Sequence, residues 1–319
     1  MYPNAMVLPM FPKHKNWRKN RFLLQLFLTK KNTTTIICRG IFSTHLARTS
    51  GSYKAVVFDG RGAYAAEFNE YLGEEHVSDD IAKLENDAIH KSDYRLAVSN
   101  ALVEHWQMEY NYNSNEHVVV PCTLNESEFD LDVQELNNAR GKHGYSSTDV
   151  VYIYSGSIAG WQSGEMMDAY CSRVLESNEN AHFIFLSKFD VTKFDAFRKF
   201  SSRIKQFWVD PEEVRELLLC GDYGVMIREC TITNKVASPT KFAEYLLAGL
   251  KVITTPDLGD YSMMVAEENV GVIFTEQNPS LILEKLTFEE KKKLNRFAID
   301  NFTKSVYERE YRKIIGLNE

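Results

Sequence analysis

The sequence predicts an α/β protein of two doubly wound halves, and three observations carry that prediction. Short β-branched and aromatic runs alternate with amphipathic stretches along most of the chain, most regularly from residue 150 onward. At 319 residues the chain exceeds what a single hydrophobic core usually serves. A polar, Gly-containing stretch, Asn137 to Asp149, interrupts the alternation near the middle and reads as an interdomain linker. Regular strand–helix alternation implies parallel strands joined by right-handed crossovers. The expected domains are therefore residues 1–140 and 148–300, followed by a terminal helical segment over 301–319.

In the second half, strands are expected at Val150–Ser155, Phe183–Ser187, Ile204–Val209, Tyr223–Arg228, Lys251–Thr255 and Gly271–Phe274. The segment Asp210-Pro211-Glu212-Glu213 has the form of a capping box with Pro at the first helical position, and Cys220-Gly221 marks that helix's end. The first half repeats the theme with strands at Thr33–Cys38, Ala55–Asp59, Tyr94–Val98 and His117–Val120, and helices at Asp80–Lys91 and Asn100–Tyr110. Phe302–Gly316 reads as a final helix.

Composition narrows the function classes. Apolar residues at 44% and charged residues at 25% are ordinary for a globular chain and argue against disorder. The longest apolar run, Phe22–Leu28, is about a third of a membrane span. The N-terminal stretch lacks the apolar core and small-residue cleavage site of a secretion signal, so a cytoplasmic protein is expected. The five cysteines are scattered without CxxC spacing, as reduced core thiols would be, and the eight histidines form no ligand pair, so no metal site is expected. Charge is unevenly placed. Residues 1–58 contain ten Lys and Arg and no Asp or Glu, although the whole chain carries −7. Trp17, Phe22, Leu23, Leu26 and Phe27 interleave with this charge, so residues 13–31 read as a helix for an anionic membrane surface, or as one packed on the first sheet with its lysines in solvent. Nucleic acid is not expected, because no reading motif accompanies the charge.

Ligands of doubly wound sheets sit beyond the carboxyl ends of the strands, and four places there carry chemistry. In Ser238-Pro239-Thr240-Lys241-Phe242-Ala243-Glu244-Tyr245-Leu246-Leu247-Ala248-Gly249, Ser238 suits an N-cap, Pro239 the first helical position and Gly249 the stop. The Thr240 and Lys241 amides, the helix dipole and the Lys241 ammonium together favour a phosphate. Glu244, four residues on from Thr240, lies about 6 Å further along the same face, which suits phosphates at the tip and a ribose diol deeper. The plainer alternative is a surface Lys241–Glu244 pair. Second, Gly156 and Ser157 end the first strand of the second half; Gly156 permits close backbone approach, Ser157 offers an amide and a hydroxyl, and Trp161 follows as a core anchor or sugar platform. Third, Asp59-Gly60-Arg61-Gly62 ends a strand of the first half, where Asp59 can act as a base and Arg61 can hold a phosphate, or the two can pair within a turn. Fourth, Ser99 after Val98 is read chiefly as an N-cap.

The run Gly221–Thr255, GDYGVMIRECTITNKVASPTKFAEYLLAGLKVITT, resembles the donor-binding segment of GT-B glycosyltransferases, most closely bacterial enzymes akin to glycosyltransferase family 4 (group 1). The resemblance spans roughly Ala55 to the C-terminus. It implies two Rossmann-like domains facing a cleft, with the last helix returning to the N-terminal domain. It also implies a nucleoside-diphosphate sugar as donor substrate, no separate cofactor, and metal-independent, retaining transfer of a hexosyl group to a glycan or lipid-linked acceptor in cell-surface polysaccharide synthesis. On this pattern Gly156, Ser157, Lys188, Arg228, Ser238, Pro239, Thr240, Lys241 and Glu244 would contact the donor, Arg61 and Gly62 the acceptor, and Asp59 and Glu229 would carry the catalysis. The chain departs from the pattern in three ways. Val236 stands where family 4 members often have a donor-sugar Glu, leaving Glu229 as the nearest substitute. The Gly156 loop lacks the usual Arg and Lys. The first domain lacks the Gly-rich loop that usually follows an opening strand, with Ala5–Phe11 a candidate remnant of that strand, as if truncated. The same departures would suit an inactive glycosyltransferase-like partner protein, and an inverting GT-B enzyme or a sugar-phosphate epimerase is a further alternative.

Overall fold

The structure is a computed structural model that describes residues 14–27, 35–71, 75–125, 130–156, 163–275 and 282–315. Contacts divide the chain into two compact units. One holds residues up to Val98, Leu102–Val119 and those from Glu310; the other holds Ser99–Ala101 and Val120–Arg309.

The first unit opens with a 3₁₀ turn, His14–Lys19, running into α1 (Asn20–Phe27). Then follow β1 (Thr35–Arg39), α2 (Ile41–Ser50), β2 (Ala55–Gly60), α3 (Tyr64–Tyr71), α4 (Glu75–Lys91), β3 (Tyr94–Ala97), α5 (Asn100–Tyr110) and β4 (His117–Val119). The strands form one parallel sheet in the order β1-β2-β3-β4. Strand β2 is buried from Val56 to Gly60, as expected of a run covered on both faces. Gly60 lies under the fully buried Trp106, where a Cβ would come within 2.6 Å of the indole. The α3 N-terminus is satisfied from a distance. The fully buried Glu85 carboxylate accepts the Tyr64 and Ala65 N–H groups (3.0 and 2.8 Å) and the Tyr110 hydroxyl (3.0 Å).

The second unit contains α6 (Val133–Lys142), β5 (Val150–Ser155), α7 (Gly164–Ser177), β6 (Ala181–Leu186), α8 (Asp195–Phe200), β7 (Ile204–Phe207), α9 (Pro211–Leu219) and β8 (Tyr223–Met226). It continues through α10 (Ile232–Val236), α11 (Thr240–Leu247), β9 (Lys251–Thr254), α12 (Asp260–Glu268), β10 (Gly271–Ile273) and α13 (Phe288–Phe302); most of α14 (Glu308–Ile314) belongs to the first unit. All six strands are parallel, in the order β10-β9-β8-β5-β6-β7. The order reverses between β5 and β8, and ligands of doubly wound sheets bind beyond the strands' carboxyl ends at such a reversal. The core is aromatic: Tyr152 stacks between Phe183 and Tyr223 at centroid separations of 4.9 and 5.3 Å.

Two expectations about elements change. The capping box at Asp210–Glu213 is present, with Pro211 opening α9. The stretch from Asn137 to Asp149, however, does not begin as a linker, because it starts inside α6, which Asp132 caps through the Gln134 and Glu135 amides. Arg140 is buried in the second unit, donating to the Cys220, Ser146 and Asp149 carbonyls and the Asp222 carboxylate. Asp222 also receives the Val151 and Leu286 N–H groups and pairs with the buried Lys291. The final helix is likewise divided: α13 ends at Phe302, and a 3₁₀ turn over Ser305–Tyr307 precedes α14. Of the five cysteines, all unbridged, Cys38, Cys171 and Cys220 are buried, Cys122 is half-buried and Cys230 is exposed.

Candidate functional site

The candidate site is built at the reversal between β5 and β8. Strand β5 ends at Ser155 and passes into Gly156, whose φ of +140° lies in the region that favours glycine. A Cβ there would approach the Lys241 ammonium to 3.3 Å, so the missing side chain lets backbone and cation come together. On the other side of the reversal, β8 runs out through Ile227 to the buried Arg228. The Arg228 backbone is clamped to the end of β9: its N–H donates to Thr255 Oγ1 (3.1 Å), whose hydroxyl donates to the Arg228 carbonyl (2.6 Å).

Helix α11 supplies the third wall. It begins at Thr240 with Pro239 as N-cap and no side-chain cap. Ser238 is therefore one residue outside the position expected of it. Its hydroxyl instead accepts the Cys122 N–H (2.8 Å) and hydrogen-bonds the Tyr261 hydroxyl, satisfying an amide and a buried phenol that would otherwise lack those partners. Gly249, φ +76°, stops the helix as expected. Tyr245 pins α11 onto the sheet. Its ring lies over Gly224, where a Cβ would come within 2.2 Å, and its hydroxyl accepts the Ser155 N–H (2.8 Å) while donating to the Val225 carbonyl (3.5 Å).

Lys241, on the first turn of α11, is 8% exposed, with its ammonium 4.6 Å from the Tyr154 ring centroid. Burial, reinforced by the Arg228 charge and partly opposed by Glu244, lowers its pKa to about 7. Glu244, half-buried a turn deeper, is pushed above the usual carboxylate range by burial, against the attraction of Lys241. Two cations and one carboxylate are thus held in low dielectric with an excess of positive charge. That arrangement favours a polyanion at the tip and hydrogen-bonding hydroxyls beside Glu244. The partial burial of this pair sets aside the plainer reading of a surface ion pair.

The remaining expected residues divide. Thr240 is exposed at the tip. Glu229 has an exposed side chain on a fixed backbone: its carbonyl accepts from Asn234 Nδ2 (3.1 Å) and the Thr231 N–H (3.0 Å), and its own N–H donates to Ser163 Oγ (3.0 Å). Lys188, beyond β6, is exposed and places its ammonium 4.3 Å from the ring centroid of the exposed Trp208, which follows β7. Val236 is 1% exposed, a core residue of α10. Ser157 and Trp161 lie outside the described residues. Ser99 directly precedes α5; its hydroxyl donates to the Val236 carbonyl (2.7 Å), and the Asp260 carboxylate takes the Asn100 and Ala101 amides.

In the first unit, Asp59 is 6% exposed at the end of β2 and meets Arg61 in a two-point ion pair of 2.8 and 3.0 Å. Both carboxylate oxygens are engaged, so the paired turn weighed from sequence is the arrangement present. Gly62 has no atom within 4 Å of the place a Cβ would take, leaving the strand end open beside Arg61.

Sequence reasoning missed Tyr245 and Ser163, which brace the strand exits, and Trp208, which lies against Lys188. Gly224 opposite an aromatic in the next crossover helix is a signal for the first, and a lone Trp after a strand is one for the third. Nothing in the sequence marks Ser163, whose part depends on its backbone angles.

Two parallel Rossmann-like α/β units of this kind are the fold of GT-B glycosyltransferases, and solved structures of that class superpose on nearly the whole chain. Sucrose-phosphate synthase from Thermosynechococcus elongatus aligns with TM-score 0.71 at 12% identity, covering 99% of this chain and 83% of that one. WaaG, a glycosyltransferase involved in lipopolysaccharide biosynthesis, aligns with TM-score 0.69 at 16% identity, covering 98% and 86%. HepE from Anabaena, solved in complex with UDP, aligns with TM-score 0.67 at 10% identity, covering 95% and 82%. No protein-family model and no curated protein sequence matches the chain.

Proposed function

We propose that the chain is a glycosyltransferase that moves a hexosyl group from a nucleoside-diphosphate sugar to an acceptor hydroxyl. The observation that carries this reading is the convergence of Gly156, Lys241 and Arg228 at the strand-order reversal, beside the α11 tip and with Glu244 one turn deeper. The diphosphate lies against the Thr240 and Lys241 amides and the two cations, and Glu244 accepts from the ribose hydroxyls. HepE, similar in fold, is solved with UDP-glucose, which supports a donor of this chemistry. Lys188 and Trp208 flank the base, and Ser157 completes the glycine loop.

Bond cleavage at the anomeric carbon leaves negative charge on the diphosphate, and oriented amides with two cations stabilise that charge as it develops. Lys241 and Arg228 supply the positive countercharge within the protein, so transfer needs no metal and chelation with EDTA should leave the rate unchanged. Glu229, exposed on a rigid mount, faces the transferred sugar in place of the carboxylate that Val236 lacks. In the first unit, Asp59 orients Arg61, which holds an anionic group of the acceptor; as a base, Asp59 acts after leaving that pair. Retention of anomeric configuration and an acceptor that is a glycan or lipid-linked sugar of a cell-surface polymer complete the reading.

The acceptor's lipid linkage fits α1. Trp17 packs inward on Phe42 of α2 (centroids 4.9 Å apart), but Phe22 and Leu26, one turn apart, are 70% and 71% exposed beside exposed Arg18, Lys19 and Arg21. This face suits the inner, anionic surface of a membrane. Among the described residues, no helix is long and apolar enough to cross one.

The test is a thermal-shift screen against UDP-, GDP-, ADP- and dTDP-sugars, followed by product analysis. One nucleotide-sugar should stabilise the protein, and the product should keep the donor's anomeric configuration; inversion would overturn the retaining mechanism. The core position of Val236 favours one second reading, a glycosyltransferase-like partner that binds donor without turnover. Binding with no transfer and no donor hydrolysis would select it.

A further inference from the structure

The β5–β8 ladder is brief, pairing only Tyr152 with Tyr223 and Ile153 with Gly224, so beyond Gly224 the two strand exits part. Two hydroxyls span the gap. Tyr245 is one; Ser163 is the other, accepting the Glu229 N–H at 3.0 Å.

Ser163 is unusual for its position. It is the N-cap of α7, a place where serine is favoured because its oxygen accepts an amide of its own first turn from an extended backbone. Here its φ and ψ are +48° and +62°, the left-handed region, and no side-chain cap bond forms. Left-handed backbone at a non-glycine residue is uncommon and costs stability, so it persists where the surroundings enforce it. The hydroxyl is engaged with the β8 exit instead of its own helix, and the residue is 6% exposed. The Glu229 peptide is then held on both sides, by Ser163 at its N–H and by Asn234 and Thr231 at its carbonyl, while the carboxylate projects into solvent.

We infer that Ser163 is a positioning residue: its left-handed backbone sends the hydroxyl across the strand-order reversal to fix the Glu229 backbone, so that the Glu229 carboxylate meets the transferred sugar in one geometry. The inference rests on the donor-site reading above. The Ser163 hydroxyl is engaged by the Glu229 N–H, while Lys241, Gly156 and Glu244 are positioned by other elements. Its loss therefore affects the chemical step more than donor affinity.

Three variants of the full chain test it. Ser163→Gly removes the hydroxyl and relieves the backbone, so it should fold with Tm within about 2 °C of wild type. Ser163→Ala removes the hydroxyl and keeps the strain. Ser163→Asn tolerates the left-handed region and retains an acceptor oxygen. The measurements are hydrogen exchange at the Glu229 amide, UDP-sugar affinity by calorimetry, and kcat for donor hydrolysis with water as acceptor. Ser163→Gly should speed exchange at that amide, keep donor affinity within about twofold, and lower kcat roughly tenfold or more, as misplacement of a reacting group does. Ser163→Asn should restore most of both. Wild-type exchange or wild-type kcat in Ser163→Gly, with the parent active, overturns this inference alone. A parent that binds no nucleotide-sugar overturns the donor-site reading and takes this inference with it.

Discussion

Lys241 is the residue on which site chemistry and titration meet. Because burial and Arg228 hold its pKa near 7, much of the unliganded population is neutral at pH 8. A diphosphate beside it favours the ammonium and raises that value. Between about pH 7 and the bound-state value, the complex holds more protons than the apo protein, so donor affinity should fall as pH rises, by at most tenfold per unit. Well below pH 7 this group adds no slope. Calorimetry at pH 8 in buffers of different ionisation enthalpy should show net proton uptake; its absence would separate Lys241 from the phosphates. The residues of this site were legible in uneven measure. Lys241 and Glu244 stood out because helix spacing alone places them on one face. Ser238 was misassigned because a Ser before a Pro looks like a cap in sequence, while its partners, Cys122 and Tyr261, are remote along the chain. Ser163 was invisible, since no residue type announces a left-handed serine.

At the scale of elements, the alternation of runs located every strand of both sheets, with ends shifted by a residue or a few. Helix α6 escaped because it shows the sequence a polar face and buries only Leu136, Ala139 and Arg140. A guanidinium anchored to carbonyls and to Asp222 reads, by composition, as linker. Two predictions belong here. Gly156→Ala places a methyl 3.3 Å from the Lys241 ammonium and strains the backbone at φ +140°, so donor affinity should drop about tenfold with only a modest change in Tm. Asp222→Ala leaves Arg140 and Lys291 as buried charges without their carboxylate. It should cost roughly 3–5 kcal/mol in denaturant unfolding and leave donor affinity unchanged where the protein stays folded.

For the whole molecule, the acid-free opening stretch and the acidic remainder give the chain a charge asymmetry that its net −7 conceals. If α1 meets lipid, binding to vesicles containing phosphatidylglycerol should exceed binding to neutral vesicles. Phe22→Ser with Leu26→Ser should weaken it, and raised salt should weaken it further. Equal binding to neutral and anionic vesicles would contradict that placement.

On the proposed function, phosphates lie at the tip of α11 and the ribose a turn deeper. That arrangement is tested most directly by titrating the preferred nucleoside diphosphate and inorganic pyrophosphate into wild type, Lys241→Ala and Glu244→Ala. Lys241→Ala should weaken both ligands by roughly 10- to 100-fold, and Glu244→Ala should weaken the nucleoside diphosphate about tenfold while leaving pyrophosphate at wild-type affinity. Undiminished binding of both ligands to Lys241→Ala, or no binding of any nucleoside diphosphate to wild type, would contradict it.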